Sequence, residues 1–213
     1  MLTLLDVYNS LLDDHGPQYW WPGDSRFEIM VGAVLTQNTA WPNVEKAIGN
    51  LKHAQVLSPQ AIVSSDSEQL AALLRPSGYF NIKARRLLAM CTWLQEQGGE
   101  TALAKRETPV LREQLLTVHG IGPETADDIL LYAFDRPVFV VDTYTRRLFG
   151  RLGLVDANAP YETIRTQFES TLAPEPAFFN EYHALIVNHG KHICRPQARC
   201  DQCCLKQQCV TAA

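Results

Sequence analysis

The sequence of 213 residues lacks any long hydrophobic run, since none approaches the roughly 20 apolar residues that a membrane-spanning helix needs. It also lacks internal repeats, low-complexity linkers and the basic, apolar leader of a secreted protein. Acidic residues outnumber basic ones, so the net charge is −4 and no general excess of positive charge is present. These absences predict a globular protein of the cytoplasm with no membrane partner.

Strand-like sequence is nearly absent as well. The run Val138–Val141 is the one such stretch, and it is too short to imply a sheet. Apolar residues instead recur at intervals of three and four residues, as they do along 27–35 and 111–118. Proline and glycine residues separate these segments. The sequence therefore predicts an all-α fold of about ten short helices.

Positive charge is concentrated locally despite the negative total. The segment from residue 189 to the end of the chain contains a single acidic residue, Asp201, and four basic ones: Lys191, Arg195, Arg199 and Lys206. A local basic patch can contact phosphates whatever the sign of the net charge. DNA is therefore not excluded as a partner, although a solvated helix surface is the simpler interpretation of any one of these residues.

Five of the six cysteines lie in the last twenty residues, and four of them are spaced as a candidate ligand set: Cys194, Cys200, Cys203 and Cys209. In a reducing cytosol, thiolates this close together share a metal more readily than they form disulfides. Only the Cys200–Cys203 pair has zinc-type spacing, whereas four cysteines with unequal gaps suit a [4Fe–4S] cubane. We expect an iron–sulfur cluster, with zinc as the alternative. Cys204 is either a spare thiol or an alternative ligand.

A tight glycine turn joins two helical patterns at residues 116–126. Gly120 and Gly122 permit a positive φ and leave backbone amides exposed. Pro123 suits the first turn of the following helix, where its missing amide donor has no cost. Exposed amides at a helix N-terminus can bind a phosphate, although a lone hairpin of this kind is more often a simple connection.

The motif G-I-G-x-x-T-A at residues 120–126 and the motif V-V-D-T-x-x-x-R at residues 140–147 resemble the helix-hairpin-helix (HhH-GPD) DNA glycosylases of the endonuclease III superfamily. The cysteine tail is similar to that family's [4Fe–4S] loop, although its first gap is one residue shorter than usual. The resemblance extends from about residue 25 to the C-terminus. It implies a two-domain all-α fold that binds DNA in a cleft between the domains.

The same resemblance implies the domain limits. A helical barrel domain would span residues 25–136 and contain the hairpin at about 111–134. The second helical domain would comprise residues 1–24 and 137–213, with the cluster loop at 194–209.

Two positions would decide the chemistry. Asp142 matches the family's catalytic carboxylate, which stabilises positive charge on the deoxyribose and orients or deprotonates water. A helix N-cap is the structural alternative, and the two roles can coexist. Glu124 stands where bifunctional members carry a Schiff-base lysine, and a carboxylate cannot form an imine. The resemblance thus implies a monofunctional glycosylase without abasic-site lyase activity, unless Lys191 or Lys83 substitutes.

Three further segments resemble the 3-methyladenine DNA glycosylase III branch, at residues 20–28, 32–39 and 75–84. That branch generally lacks the cysteine tail. The resemblance implies a damaged base that is flipped into a pocket, most simply an alkylated purine such as 3-methyladenine. Aromatic faces hold such a cationic base by stacking and by cation–π attraction.

The pocket would be aromatic on at least two sides. Trp20 or Trp21, together with Trp41, would stack on the base by this resemblance. Glu28 is either a buried hydrogen-bond partner of the pocket or only an early helix acid. Gln37 or Asn38 matches the polar wedge that fills the gap left by the flipped base, and we favour Asn38.

Further DNA contacts are implied for the hairpin and for basic residues near the cluster. They are Gly120, Ile121, Gly122, Thr125, Arg147, Lys191, Arg195 and Arg199. The expected partner is double-stranded DNA with a damaged base, bound by a monomer that associates with the nucleoid if the source is prokaryotic. Three alternatives stay open: a glycosylase for oxidised pyrimidines or mispaired thymine or uracil, a non-catalytic DNA-structure-binding protein, and a zinc-stapled interaction module.

Overall fold

The computed structural model describes residues 2–20 and 23–212, and all regular structure in these residues is helical. The predicted all-α fold is confirmed, and Val138–Val141 is irregular in structure. No helix in the described ranges is long and apolar enough to cross a membrane. The chain divides into two compact units, Met1–Trp21 with Asp135–Ala213, and Pro22–Phe134.

The helices are short, and most are bounded by prolines, glycines or polar caps. In chain order they are α1 (Leu4–His15), α2 (Arg26–Leu35), α3 (Trp41–His53), α4 (Pro59–Ser64), α5 (Ser67–Leu73), α6 (Phe80–Glu96), α7 (Gly99–Leu103), α8 (Thr108–Leu116), α9 (Pro123–Asp128), α10 (Thr143–Arg151), α11 (Tyr161–Thr171) and α12 (Pro176–His192). A π-helical segment, Ile129–Ala133, continues α9, and short 3₁₀ turns lie at Arg75–Ser77, Cys200–Gln202 and Lys206–Gln208.

Helix α2 is the core of the unit Pro22–Phe134. Ser25 caps it by accepting a hydrogen bond from the Glu28 amide at 3.1 Å. All residues from 27 to 35 are buried, as expected of a helix that is apolar on every side. At its C-terminal end, the buried Lys83 ammonium donates to the carbonyls of Leu35 at 2.9 Å and Ser77 at 2.6 Å. These bonds fix the chain just before the turn at residues 36–39.

Aromatic side chains form the core of the other unit. The Phe139 and Phe168 rings stack with centroids 4.1 Å apart, and Phe149 meets Phe168 edge-on at 4.8 Å. Tyr182 of α12 is fully buried against the same group. Because Phe139 precedes α10 and Phe149 lies within it, this packing positions the N-terminus of α10 against α12.

Candidate active site

Asp142 is the N-cap of α10, as the sequence allowed. Its Oδ1 accepts hydrogen bonds from the Thr145 amide at 2.7 Å and from Thr145 Oγ1 at 2.9 Å. Its Oδ2 lies 3.6 Å from Nε2 of His183, and the Asp142 side chain is 12% exposed. Burial raises the pKa of Asp142, but His183 and Thr145 outweigh burial and leave the pKa below its ordinary value. The carboxylate is therefore ionised at neutral pH.

An aromatic ring lies next to the histidine that contacts this carboxylate. The half-buried Trp20 ring and the His183 ring have centroids 6.1 Å apart and planes inclined by 36°. Trp20, His183 and Asp142 thus form one cluster within a single structural unit. Trp21, the other residue predicted to stack on a base, lies outside the described residues.

Two predicted pocket residues have structural contacts in the unit Pro22–Phe134. Trp41 opens α3 and its ring packs against Gly32, where an added Cβ would lie 3.4 Å from the indole. Glu28 is buried and forms an ion pair of 2.8 Å with Lys52. Its charge is therefore compensated within the protein, which favours the structural interpretation of Glu28.

The glycine hairpin is held by side chains from elsewhere in its unit. Gln37 Nε2 donates to the Gly120 carbonyl at 3.0 Å and to Thr125 Oγ1 at 2.8 Å, while Gln37 Oε1 accepts from Arg86. Asn38 is exposed and has a left-handed φ of 54°. Gln37 is thus a brace for the hairpin, and Asn38 is the more available of the two candidate wedge residues.

Any side chain at position 120 would be strained, both by the backbone conformation and by a close neighbour. Its φ is +87°, and a Cβ added there would overlap the aliphatic stem of Arg86. Ile121 is buried beneath the turn, and Gly122 caps α9 with an extended φ of −94°. The residues that lead into α9, Gly122 to Glu124, are therefore exposed, while the buried Ile121 anchors the turn.

We expect Gly120→Ala to destabilise the protein by about 1–3 kcal/mol, because it adds a left-handed alanine and a clash with Arg86. Gly122→Ala is the matched control, since its φ is negative and an added Cβ meets nothing within 4 Å. Urea unfolding of both variants measures the difference. Equal stabilities would show that the turn tolerates a side chain at either glycine.

Glu124 and three predicted DNA-contacting residues are at least partly accessible to solvent. Glu124 is exposed in the first turn of α9. Lys191 on α12 and Arg199 in the tail are exposed, while Arg195 is half-buried. Lys83, considered as an alternative amine, is buried and burial lowers its pKa to about 8. Its two carbonyl partners identify it as a structural group.

The four tail cysteines line one cavity of about 380 Å³. Burial raises the pKa of the Cys203 thiol, and the neighbouring Cys194, Cys209 and Cys200 raise it further. In residues 2–20 and 23–212, no three His, Cys, Asp or Glu side chains converge as they would around one metal ion. Cys204 instead interacts with the Asp14 carboxylate, and burial is the main cause that raises its pKa to about 12.

Two arginines on successive turns of α10 hold the cysteine loop. Arg147 donates to the carbonyls of Cys194 at 2.7 Å and Gly190 at 2.9 Å. Arg151 donates to Cys194 Sγ at 3.3 Å and to the Arg195 carbonyl at 2.7 Å. A hydrogen bond to sulfur holds a cysteine side chain in a fixed orientation. Arg147 therefore has a visible structural role, and its contact with DNA stays a prediction.

Sequence reasoning missed His183, His189 and Arg86. His189 is fully buried, with Nδ1 2.9 Å from His15 Nε2 and Nε2 3.5 Å from Cys203 Sγ. A lone histidine in an apolar helix gives no pattern that would have found His183, whereas His189 belongs to a segment, residues 189–191, that resembles the 3-methyladenine DNA glycosylase III branch but was given no role. Arg86 could have been noticed because it follows the resemblance segment that ends at residue 84.

The fold and these sites define a helix-hairpin-helix protein: two helices joined by a braced glycine turn, in an all-helical chain with a cysteine tail. The chain belongs to the HhH-GPD superfamily of base excision DNA repair proteins, whose family model matches residues 31–174. The predicted resemblance to this family and to the endonuclease III superfamily is confirmed.

Known proteins resemble the chain over most of its length. A Methanocaldococcus jannaschii protein, provisionally named a DNA repair glycosylase, is 47% identical over 96% of this chain and 94% of its own. Endonuclease III of Thermotoga maritima is 32% identical, and the match covers 86% of this chain and 82% of that protein. The crystal structure of H. pylori 3-methyladenine DNA glycosylase bound to 1,N6-ethenoadenine is 32% identical with a TM-score of 0.72, covering 88% of this chain and 95% of that one. The structure of an endonuclease III–DNA complex is 21% identical with a TM-score of 0.83, covering 99% of this chain and 96% of that one. At this identity the likeness shows the fold alone.

Proposed function

We propose that the protein is a DNA glycosylase of base excision repair, a hydrolase that cleaves the N-glycosidic bond of a damaged base in double-stranded DNA. The observation that carries the proposal is the carboxylate of Asp142, which is enclosed yet ionised at neutral pH. An ionised acid in such a place costs free energy unless neighbouring groups stabilise it, and it is a frequent feature of catalytic sites. Membership of the HhH-GPD superfamily supports the same assignment.

The chemistry follows from the two oxygens of Asp142. As the base leaves, positive charge develops on the deoxyribose. A carboxylate beside the anomeric carbon stabilises this charge and accepts a proton from the attacking water. Because Oδ1 is held by both donors of Thr145, Oδ2 is the oxygen assigned to this step.

The proposed substrate is an alkylated purine such as 3-methyladenine. The 32% identity to a 3-methyladenine glycosylase supports this choice, and so does the aromatic ring of Trp20 beside His183. A cationic base gains a cation–π attraction from such a ring. The alternative, an oxidised pyrimidine or a mispaired thymine or uracil, has support from the 32% identity to an endonuclease III.

DNA binding is assigned to the hairpin and the basic residues near the tail. The amides of Gly120 and Gly122 would contact a phosphate, whereas the Ile121 amide already donates to the Val118 carbonyl at 3.0 Å. Asn38 would fill the gap left by the flipped base, since Gln37 is occupied as a brace. Lys191 and Arg199 are exposed and would contact the backbone electrostatically. The partner is damaged double-stranded DNA, and the protein acts as a monomer.

The cofactor assigned to Cys194, Cys200, Cys203 and Cys209 is a [4Fe–4S] cluster. The four thiols share one cavity, and a cubane gives each thiolate its own iron, which suits their unequal spacing along the chain. A zinc ion would require a single tetrahedral centre. Because base hydrolysis needs no electron transfer, the cluster's role would be to keep the tail rigid and its arginines in place.

The proposed function predicts a specific pattern of base release by the purified protein. Duplexes with 3-methyladenine should lose the damaged base faster than duplexes with thymine glycol or mispaired uracil, as measured by chromatography of free bases. Strands should stay intact until alkaline workup, and borohydride should trap no covalent complex, because Glu124 cannot form an imine.

Each departure from this pattern has a distinct meaning. If thymine glycol were released faster than 3-methyladenine, the substrate would be an oxidised pyrimidine and not an alkylated purine. Strand cutting at neutral pH with a trapped complex would contradict the monofunctional assignment. Tight binding of all duplexes without any base release would identify a non-catalytic DNA-binding protein.

A further inference from the structure

His183 lies beside the proposed catalytic carboxylate, although no sequence motif pointed to it. It projects from α12, is 4% exposed, and places Nε2 3.6 Å from Asp142 Oδ2. The Trp20 ring lies beside its imidazole, with the two ring centroids 6.1 Å apart. A buried imidazole is costly compared with an apolar side chain of similar size, so a position of this kind calls for an explanation.

The two oxygens of Asp142 have separate partners. Oδ1 alone completes the N-cap of α10, because both Thr145 donors bind to it. Oδ2 is therefore not needed for the helix, and the group beside it is the imidazole of His183. A separation of 3.6 Å is longer than a normal hydrogen bond, so the contact in the free protein is electrostatic. Catalytic contacts of this kind commonly tighten when substrate binds.

We propose that His183 is a positioning residue for the reaction: it aims Oδ2 of Asp142 at the sugar and favours the ionised carboxylate, while Trp20 keeps the imidazole in place. The inference rests on the proposed glycosylase function for its kinetic consequence. Its effect on the carboxylate itself is measurable without any reaction.

The electrostatic balance gives the direction of the effect. Burial raises the pKa of Asp142, whereas His183 and Thr145 lower it. In the described part of the chain, His183 on α12 is the titratable group that acts on this carboxyl; Thr145 on α10 and Trp20 carry no charge. Without His183, burial is opposed only by Thr145. The pKa of Asp142 then rises, and the carboxylate is lost at a higher pH.

Two substitutions test the proposal through two readouts. In His183→Leu, carboxyl NMR should show the pKa of Asp142 raised above that of the wild type, and the acid limb of the single-turnover rate profile should shift to higher pH with it. The plateau rate should fall about tenfold or more, because Oδ2 of Asp142 is no longer held toward the sugar. His183→Gln retains an amide donor near Oδ2 and should recover part of the plateau, while its acid limb stays shifted.

The controls separate positioning from packing. His53→Gln, an exposed change on α3, should leave both readouts unchanged. Affinity for a duplex with an uncleavable abasic-site analogue should be the same in all variants. If both His183 variants keep the wild-type pKa of Asp142 and the wild-type rate profile, the proposal is wrong; if His183→Leu fails to fold, His183→Gln alone decides. A raised pKa in a protein that releases no base would instead overturn the glycosylase function and leave the carboxylate effect standing.

Discussion

Asp142→Asn should reduce base excision by about 10³-fold while leaving the fold and the DNA affinity nearly unchanged. Asparagine caps helices as well as aspartate does, so the N-cap of α10 on Thr145 survives the change. What disappears is the negative charge that opposes the developing positive charge on the deoxyribose. Single-turnover release of the damaged base, with binding measured on an abasic-site analogue, gives both quantities.

The control for this variant is another aspartate that caps a helix. Asp66 caps α5 by accepting hydrogen bonds from the amides of Glu68 and Gln69, both at 3.0 Å. Asp66→Asn should therefore preserve both stability and base release. If Asp142→Asn released bases at the wild-type rate, the acid would be a structural cap only, and the chemistry would lie elsewhere.

Local sequence patterns were sufficient for the parts of the site that are continuous in the chain. The pair Gly120 and Gly122 indicated a turn because few other residues adopt a positive φ, and Gly120 has a φ of +87°. Asp142 indicated a helix start because a carboxylate after an apolar run, followed by threonines, is a typical N-cap. The cysteine tail predicted thiols that are close in space, and the four of them line one cavity, while the metal itself stays a prediction. Each of these inferences uses contacts between near neighbours along the chain.

Contacts between distant residues could not be predicted in the same way. Gln37 meets the hairpin carbonyl 83 positions later, and Arg151 meets the Cys194 sulfur 43 positions later. No periodicity or spacing encodes which arginine or amide reaches which carbonyl, because this depends on how helices pack. His183 was missed for the same reason. The residues that brace and orient the site are therefore less visible in the sequence than the residues they act upon.

Side chains of α10 and α12 hold the cysteine tail in place. Arg147 and Arg151 donate to backbone carbonyls on both sides of Cys194, and Arg151 also approaches its sulfur. His189 contributes a further contact at the sulfur of Cys203. Hydrogen bonds to ligating sulfurs hold the ligands in orientation and adjust the properties of a metal centre. Such supporting contacts on two of the four cysteines favour a metal centre over four unrelated thiols.

Cys203→Ala should abolish binding of the proposed cluster, whereas the change of the adjacent residue, Cys204→Ala, should not. Cys203 lines the shared cavity with the three other cysteines, but Cys204 interacts with Asp14. We therefore expect Cys203→Ala to lose the broad visible absorbance of iron–sulfur proteins, together with its iron and acid-labile sulfide. Because metal binding stabilises only the folded tail, this variant should also lose more than about 5 kcal/mol of stability.

Iron and zinc analysis of the two purified variants and the wild type decides between the cofactors. Wild type and Cys204→Ala should contain iron and sulfide in equal amounts, as a [4Fe–4S] cubane requires. A colourless wild-type protein with one zinc per chain would establish the zinc alternative. Loss of iron from Cys204→Ala but not from Cys203→Ala would show that the adjacent thiol is the ligand.

Since the cavity wall includes Leu148 and Arg151 of α10, loss of the cluster should also loosen the helix that begins at Asp142. Base excision by Cys203→Ala should therefore fall together with its stability, although none of the four thiols takes part in the hydrolysis.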